Sequence, residues 1–461
     1  MTDEHALPGH HRLVAVGIVI ALLSGVGCAA PGEEQPPESE SDGPTWHRDI
    51  APLVATHCVH CHSEGNMAPF SLRTYAETKA LATWVGNILR AGTMPPWQPE
   101  PDEACEAEIP LRDQTSLADD QIDTWRDWAR DGAPEGDPAT AAPVPDPVDR
   151  SLSDWTRRIE RPAQLVSEEG EGYQCFLLDP GFEETTWITA AQIEPDALDL
   201  LHHVWVWIVP PEEVAAVELR TADDDSFECF GTFGIDPWQL VMVWLPDTMP
   251  LELPPGSGLR VEPGSRIVEQ VHYHGWGGGG TDSTGVALRT TTEQPARTAE
   301  FRFIGNAPSA PVLQPGPNDD GPPRFFVPAF ERLHTESMRE EIGAGEGPYE
   351  VFGVTARMNS AGVNISVSME DTEGQSASLH RIRDWDLDWQ RQYMYDLEPG
   401  ALPVLGPGDT VTVDCEFDNT VSNVRLRELL LESGLSEPVD MELGSGHLDE
   451  MCVGVLGLLG P

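Results

Sequence analysis

The chain has 461 residues, with 27 Lys or Arg against 78 Asp or Glu and a formal charge of −51 at pH 7. That length allows several domains with real cores, and so acidic a balance excludes nucleic acid and anionic lipid as partners. It fits an exposed, heavily solvated surface.

The N-terminus reads as a processing segment over residues 1–28. His10, His11 and Arg12 precede an apolar run from Leu13 to Gly27, short for a bilayer span and right for a signal core. The run closes on Leu23-Ser24-Gly25-Val26-Gly27-Cys28, which resembles a bacterial lipobox with Cys28 as the lipidated residue, although Gly25 stands where that pattern prefers Leu. An exported protein is expected, touching the membrane only through that anchor on the periplasmic or cell-surface side. Export places the remaining cysteines where disulfides persist. Residues 29–45 are rich in Pro, Glu and Ser and read as a disordered acidic tether.

Ordered sequence is expected from Trp46. Ile50, Leu53, Val54 and His57 share one helical face, and that helix runs into Cys58-Val59-His60-Cys61-His62. Two cysteines at this spacing can form thioethers to both haem vinyls, with the next histidine beneath the iron as axial ligand. A zinc site recruiting His57 and His60 is the competing reading, and a simple redox Cys pair would not need His62. The segment resembles c-type cytochrome domains, whose covalent assembly also requires export. A second helix with Leu81, Trp84, Val85, Ile88 and Leu89 inward precedes Gly92-Thr93-Met94-Pro95-Pro96-Trp97, whose prolines hold a loop able to present a thioether. Met94 is the expected sixth ligand and Met67 the runner-up; ordinary packing is the plain alternative for either. A third helix from about Ser116 to Asp131 turns Ile122, Trp125 and Trp128 inward and stops at Gly132 and Pro134. The expected haem domain covers 46–137, followed by a Pro-rich linker over 138–150.

Beyond the linker the texture changes to short strands separated by Gly and Pro turns, the signature of β-sandwiches. Residues 151–461 exceed the about 100 that one sandwich needs, so two are expected, 151–297 and 298–461. The fold class is therefore multidomain: a small all-α domain, then two all-β jelly-roll-like sandwiches.

Leu200-Leu201-His202-His203-Val204-Trp205-Val206-Trp207-Ile208-Val209 reads as a strand, ended by Pro210-Pro211. Neighbouring side chains on a regular strand point to opposite faces, so His202 and His203 reach one metal only if the strand is irregular there. Otherwise one His is buried and one solvated. A second strand places Gln270, His272 and His274 on one face by the period of two, and three neutral imidazoles suit copper or zinc.

From about Trp155 onward the chain resembles the copper type II, ascorbate-dependent monooxygenases, the family of peptidylglycine α-hydroxylating monooxygenase and dopamine β-hydroxylase. The matching motifs follow the family's order. They are Gly172-Tyr173-Gln174-Cys175-Phe176, His202-His203, Phe227-Glu228-Cys229-Phe230-Gly231 and Glu269-Gln270-Val271-His272-Tyr273 in the first half. In the second they are Trp385-Asp386-Leu387-Asp388-Trp389-Gln390, Thr412-Val413-Asp414-Cys415-Glu416-Phe417 and Asp449-Glu450-Met451-Cys452. The resemblance implies two sandwiches facing across a cleft, each with one copper. It assigns His202, His203 and His272, with His274 as near alternative, to the electron-storing copper. It also implies disulfides Cys175–Cys229 and Cys415–Cys452, leaving Cys105 without a role.

The second copper of that family activates O2 and takes two strand histidines plus the Met of the Asp-Glu-Met-Cys motif. Here Arg357 and Asn359 stand where those histidines belong, and only Met451 remains. A guanidinium stays protonated and cannot ligate copper; Arg357 can instead fill the space itself, hydrogen-bonded to acidic neighbours. His447, with Met451 and either His334 or His380, is a rebuilt site to weigh against simple solvation. The resemblance thus implies a haem- and copper-containing oxidoreductase acting on a small molecule or peptide, fed by ascorbate or a redox protein. The altered second site opens two alternatives: an electron-transfer or redox-sensing protein without hydroxylation, and a metal-independent binding module.

Overall fold

The computed structural model describes residues 43–97, 99, 109–145, 148–167, 172–221, 226–229, 239–274, 279–306, 312–444 and 446–461. The signal segment with Cys28, most of the tether, and Cys105 lie outside them. Among the described residues no helix is long and apolar enough to cross a membrane. Residues 43–461 form one compact unit, mostly β-sheet.

Three helices precede the sheets: α1 (Ala51–His57), α2 (Tyr75–Arg90) and α3 (Asp119–Arg130). A π-helical turn over Trp46–Ile50 leads into α1. Thr74 and Glu77 close a capping box at the start of α2, satisfying two of the donors a helix start leaves open. Trp46, Ile50, Val54, Val85, Leu89, Trp125 and Trp128 make a small core of their own, and the indoles of Trp125 and Trp128 donate to the carbonyls of Ala82 and Pro134. Trp84, expected inward, is 51% exposed; its edge meets Phe70 at 5.7 Å instead. The third helix starts three residues later than its apolar pattern suggested, because Ala118 keeps extended backbone as N-cap.

The two β halves are joined more closely than separate sandwiches would be. One sheet of ten strands runs through both, in the order Arg157–Ile159, Gly285–Thr291, Thr186–Glu194, Ser257–Val261, Arg297–Gly305, Val453–Leu459, Tyr349–Arg357 and Gln392–Met394, with two short edge strands. Strand Arg297–Gly305 makes the join: it pairs in parallel with Ser257–Val261 and antiparallel with Val453–Leu459. The expected boundary near residue 297 therefore falls at the start of a shared strand. A five-stranded sheet holds Ser226–Glu228, Gly172–Leu178, Arg266–Tyr273, Leu201–Val209 and Gln239–Trp244; a four-stranded sheet holds Arg332–Glu341, Thr410–Asp418, Gly362–Glu370 and Ser376–Arg383. One continuous apolar core extends from Ile159 to Leu459. On the central strand Gly457 is needed for clearance, since a Cβ there would lie 2.7 Å from the Phe352 ring.

The helical segment is docked on this body at several places, among them the Pro99–Ile382 bridge and the Trp97 ring against Tyr393 at 5.4 Å. Its residues 109–112 run along the Gln392–Met394 edge, where Leu111 bridges Tyr395, the Arg112 amide donates to the Met394 carbonyl at 2.8 Å and the Asp396 amide donates to that of Pro110 at 2.7 Å. In the Cys58–His62 loop, His60 Nε2 lies 2.9 Å from Asp247 Oδ2, and Asp247 also pairs with Arg150. The disulfides Cys175–Cys229 and Cys415–Cys452 are both formed, each within its own half.

Candidate metal centre

His203 faces His272 across the ladder, but the next pair is Leu201 with Tyr273. Two residues of one strand advance against one of the other, so His202 is the extra residue of a β-bulge. The bulge turns His202 out of the alternation and brings it beside its neighbour: the Nδ1 atoms of His202 and His203 are 2.9 Å apart. The irregularity that a shared site required is present. Ligand nitrogens of His202, His203 and His272 all lie within 4.8 Å of one another, and among the described residues this is the only such group of three His, Cys, Asp or Glu. His274 falls outside it; its ring is 6.3 Å from that of His202 and its amide donates to the Leu200 carbonyl.

Burial keeps these rings neutral. It lowers His202 to about 4 and holds His203 and His272 well below the ordinary histidine range, with His202 and His272 further discouraging protonation of His203, and His202 that of His272. Neutral imidazole is the form that binds a transition metal. Tyr173, opposite His272 in the ladder, stacks on that ring at 4.2 Å with planes 3° apart and fixes its tilt. From the second half, Asp388 brings Oδ1 to 3.8 Å from His202 Nε2, and the Trp389 ring lies 6.4 Å from that of His202. A cleft of about 480 Å³ opens beside the group, lined among others by Tyr173, His203, His272, Asn359, Asp388 and His447.

The residues at which the resemblance expects a second set of ligands are engaged in other ways. Arg357 is buried, its Cζ 5.1 Å from the centre of the Trp205 ring. The expected hydrogen bonds to acidic neighbours are absent: among the described residues no carboxylate pairs with it, and its Nε has no partner. The nearby Glu450 carboxylate is taken instead by the amides of Asn359, Ala361 and Met451. Burying an unpaired guanidinium opposes folding by several kcal/mol, of which a desolvated cation–π contact returns about 2. Asn359 donates from Nδ2 to the Asp449 carbonyl, and Met451 is 2% exposed. His447 lines the cleft with His203 and His272 and lies within electrostatic reach of His272. His334 bonds Glu336 at 2.8 Å, and His380 packs on Tyr393 with burial lowering it to about 3; neither lines that cleft.

In the helical segment Cys58 is buried and Cys61 partly so, both are free thiols, and burial pushes each up to about 12. His62 turns Nδ1 to the Phe70 carbonyl at 3.3 Å and packs on the Phe70 ring at 4.5 Å. His57 uses Nδ1 on the Thr115 carbonyl and His60 is engaged with Asp247, so neither is gathered with Cys58 and Cys61 into a metal group. Met67 is buried; Met94 is half-buried and lines a cavity of about 950 Å³ with Trp97, Trp385 and Trp389. Asp388 and Tyr173 are the site residues that sequence reasoning left unassigned; both sit in quoted motifs, but nothing in a one-dimensional pattern says what they face.

No protein-family model matches the chain, and no curated protein matches it. Among solved structures it is similar to the major capsid protein P2 from bacteriophage PM2, at 8% identity over 66% of this chain and 96% of that one, with a TM-score of 0.24. It is also similar to the N-terminal CBM22-1-CBM22-2 tandem domain from Paenibacillus barcinonensis Xyn10C, at 9% identity over 68% and 96%, with a TM-score of 0.18. Likenesses this distant carry no argument about function.

Proposed function

We propose that the chain is an exported oxidoreductase carrying one haem c and one copper, related to the copper type II monooxygenases. In this reading the electron-storing half of that family is kept and the O2-activating half is altered. The observation that carries it is the bulge at His202, which gathers three buried, neutral imidazoles at one point.

The buried imidazole triad fits copper, and the Cys58–His62 motif with Met94 supplies the donor types of haem c. His202, His203 and His272 would hold copper; Cys58, Cys61, His62 and Met94 would hold haem. The carbonyl of Phe70 holds His62 at Nδ1 and leaves Nε2 as the nitrogen for iron. When bound, the two groups supply one-electron redox chemistry. The chain's own part is to keep the imidazoles unprotonated, to fix their tilt through Tyr173 and to place Asp388 at the edge of the set. Replacement of two strand histidines by a buried guanidinium and by an amide engaged with a backbone carbonyl supports electron transfer or redox sensing without hydroxylation. The two disulfides are compatible with an oxidising compartment.

Metal counting on the purified, reconstituted chain tests this. One copper and one covalent haem per chain are expected, with His203→Ala and His272→Ala each losing the copper and His274→Ala keeping it. Two coppers would restore the hydroxylase reading. No copper, or a Cys58 peptide without haem mass, would sink the corresponding half of the proposal.

A further inference from the structure

We propose that Arg357 tunes the His202–His203–His272 centre: its buried, unpaired guanidinium biases copper bound there toward Cu(I), raising the reduction potential of the site. The inference rests on the copper reading above and concerns a residue with no ligand role in it.

The placement comes from two strands meeting face to face. His203, Trp205 and Trp207 alternate onto one face of their strand, where Trp207 meets Phe303 at 5.8 Å and Trp205 meets the Arg357 guanidinium at 5.1 Å. Arg357 thus projects onto the same face as His203, two residues along, and its charge already disfavours protonation of His203. The other charges near the triad are offset among themselves: Asp388 lies 3.8 Å from His202 but is 2.8 Å from Arg425, which also holds Asp386. His447 and Asp199 are the remaining titratable groups acting on His272 and His274. Arg357 has no such offset among the described residues; the phenol of Tyr173 is the one other titratable group acting on it.

The sign of the effect follows from charge alone. Reduction of Cu(II) to Cu(I) by one electron, delivered by haem iron going from Fe(II) to Fe(III), lowers the charge at the triad by one and moves no proton. A fixed positive neighbour in a low-dielectric interior favours the less positive state. Trp205 attracts the guanidinium through its ring face and does not neutralise it.

The test is a redox titration of the copper-loaded full chain, read by the Cu(II) EPR signal at a series of poised potentials. Arg357→Met should keep stoichiometric copper and lower the Cu(I)/Cu(II) ratio at a given poise about tenfold or more, equivalent to a midpoint lower by about 59 mV. Arg357→Lys, which keeps a charge, should hold most of the wild-type midpoint. Removing an unpaired buried charge leaves the fold standing in most settings, and Arg357→Gln supplies a second neutral variant. A neutral variant with bound copper and an unchanged midpoint overturns the tuning role while the copper centre stands. A Lys variant that falls as far as the Met variant assigns the effect to packing and overturns it too. A wild-type chain that takes up no copper overturns the reading beneath it.

Discussion

At Glu269, on the strand that carries His272, a carboxylate is sealed from solvent, and its protonation state follows from local arithmetic. Its Oε2 accepts from Arg161 Nε at 3.1 Å, but the same guanidinium also serves Asp282, and Oε1 has no partner. Two buried carboxylates share one cation, and burial raises Glu269 to about 7. The folded chain therefore keeps this proton through the window from about 4.5 to about 7, where the unfolded chain has released it. Stability falls as pH rises through that window, by on the order of 3 kcal/mol. Glu269→Gln, neutral at every pH, should flatten that segment of the profile; urea midpoints between pH 4.5 and 8 check it, and an unchanged slope would assign the proton elsewhere. The same scale explains the histidines: their neutrality is a burial effect that no sequence pattern reports.

Single strands decide which side chains meet. The bulge at His202 is a local event, yet it exists only because Arg266–Tyr273 pairs with the His-bearing strand in this register. In the second β half, Cys415 and Cys452 join the middle of the four-stranded sheet to the residue just before the central Val453–Leu459 strand, across a separation of 37 residues. Closing a loop of that length restrains the unfolded chain by about 4 kcal/mol in the entropic account. The double variant Cys415→Ser/Cys452→Ser should lose stability of that order by denaturant unfolding, while the His triad, in a different sheet, keeps the copper proposed for it. A loss of copper equal to the wild-type total would show that the halves unfold together at the temperature of the assay.

For the whole molecule, the decisive contact is where the helical segment meets the sheets. Asp247, with a side chain 3% exposed, receives His60 from the Cys58–His62 loop and Arg150 from the end of the Pro-rich linker. Asp247→Asn removes the charge that both partners use, worth about 1.5–3 kcal/mol for a charged hydrogen bond. The undocked form should rise about tenfold or more, and limited proteolysis should cut within residues 138–150 correspondingly faster. Equal cleavage rates in variant and wild type would mean that the contacts of Trp97, Pro99 and residues 109–112 with the sheets hold the segment without the Asp247 pairs.

Much of this was legible in one dimension. The Cys58–His62 spacing, the apolar helical faces, the alternation of the β strands and the two disulfides implied by the family resemblance are all carried by short-range pattern. That pattern also stated the condition under which His202 and His203 could act together. It did not contain the answer, because register depends on the partner strand. It placed Trp84 inward, where tertiary packing left it half exposed. It also surrounded Arg357 with acidic neighbours, whereas the fold gives it the face of Trp205, an aromatic 152 positions earlier in the chain. The shared ten-stranded sheet was equally out of reach, since both edges of Arg297–Gly305 are used by strands distant in sequence. The sequence alone determined which chemistries were available: thiols at haem spacing, imidazoles on strands and a guanidinium where a ligand is expected. Only the tertiary structure decided which of these groups share a point in space, because bulges, sheet joins and buried charges arise from pairing between segments that no local pattern connects.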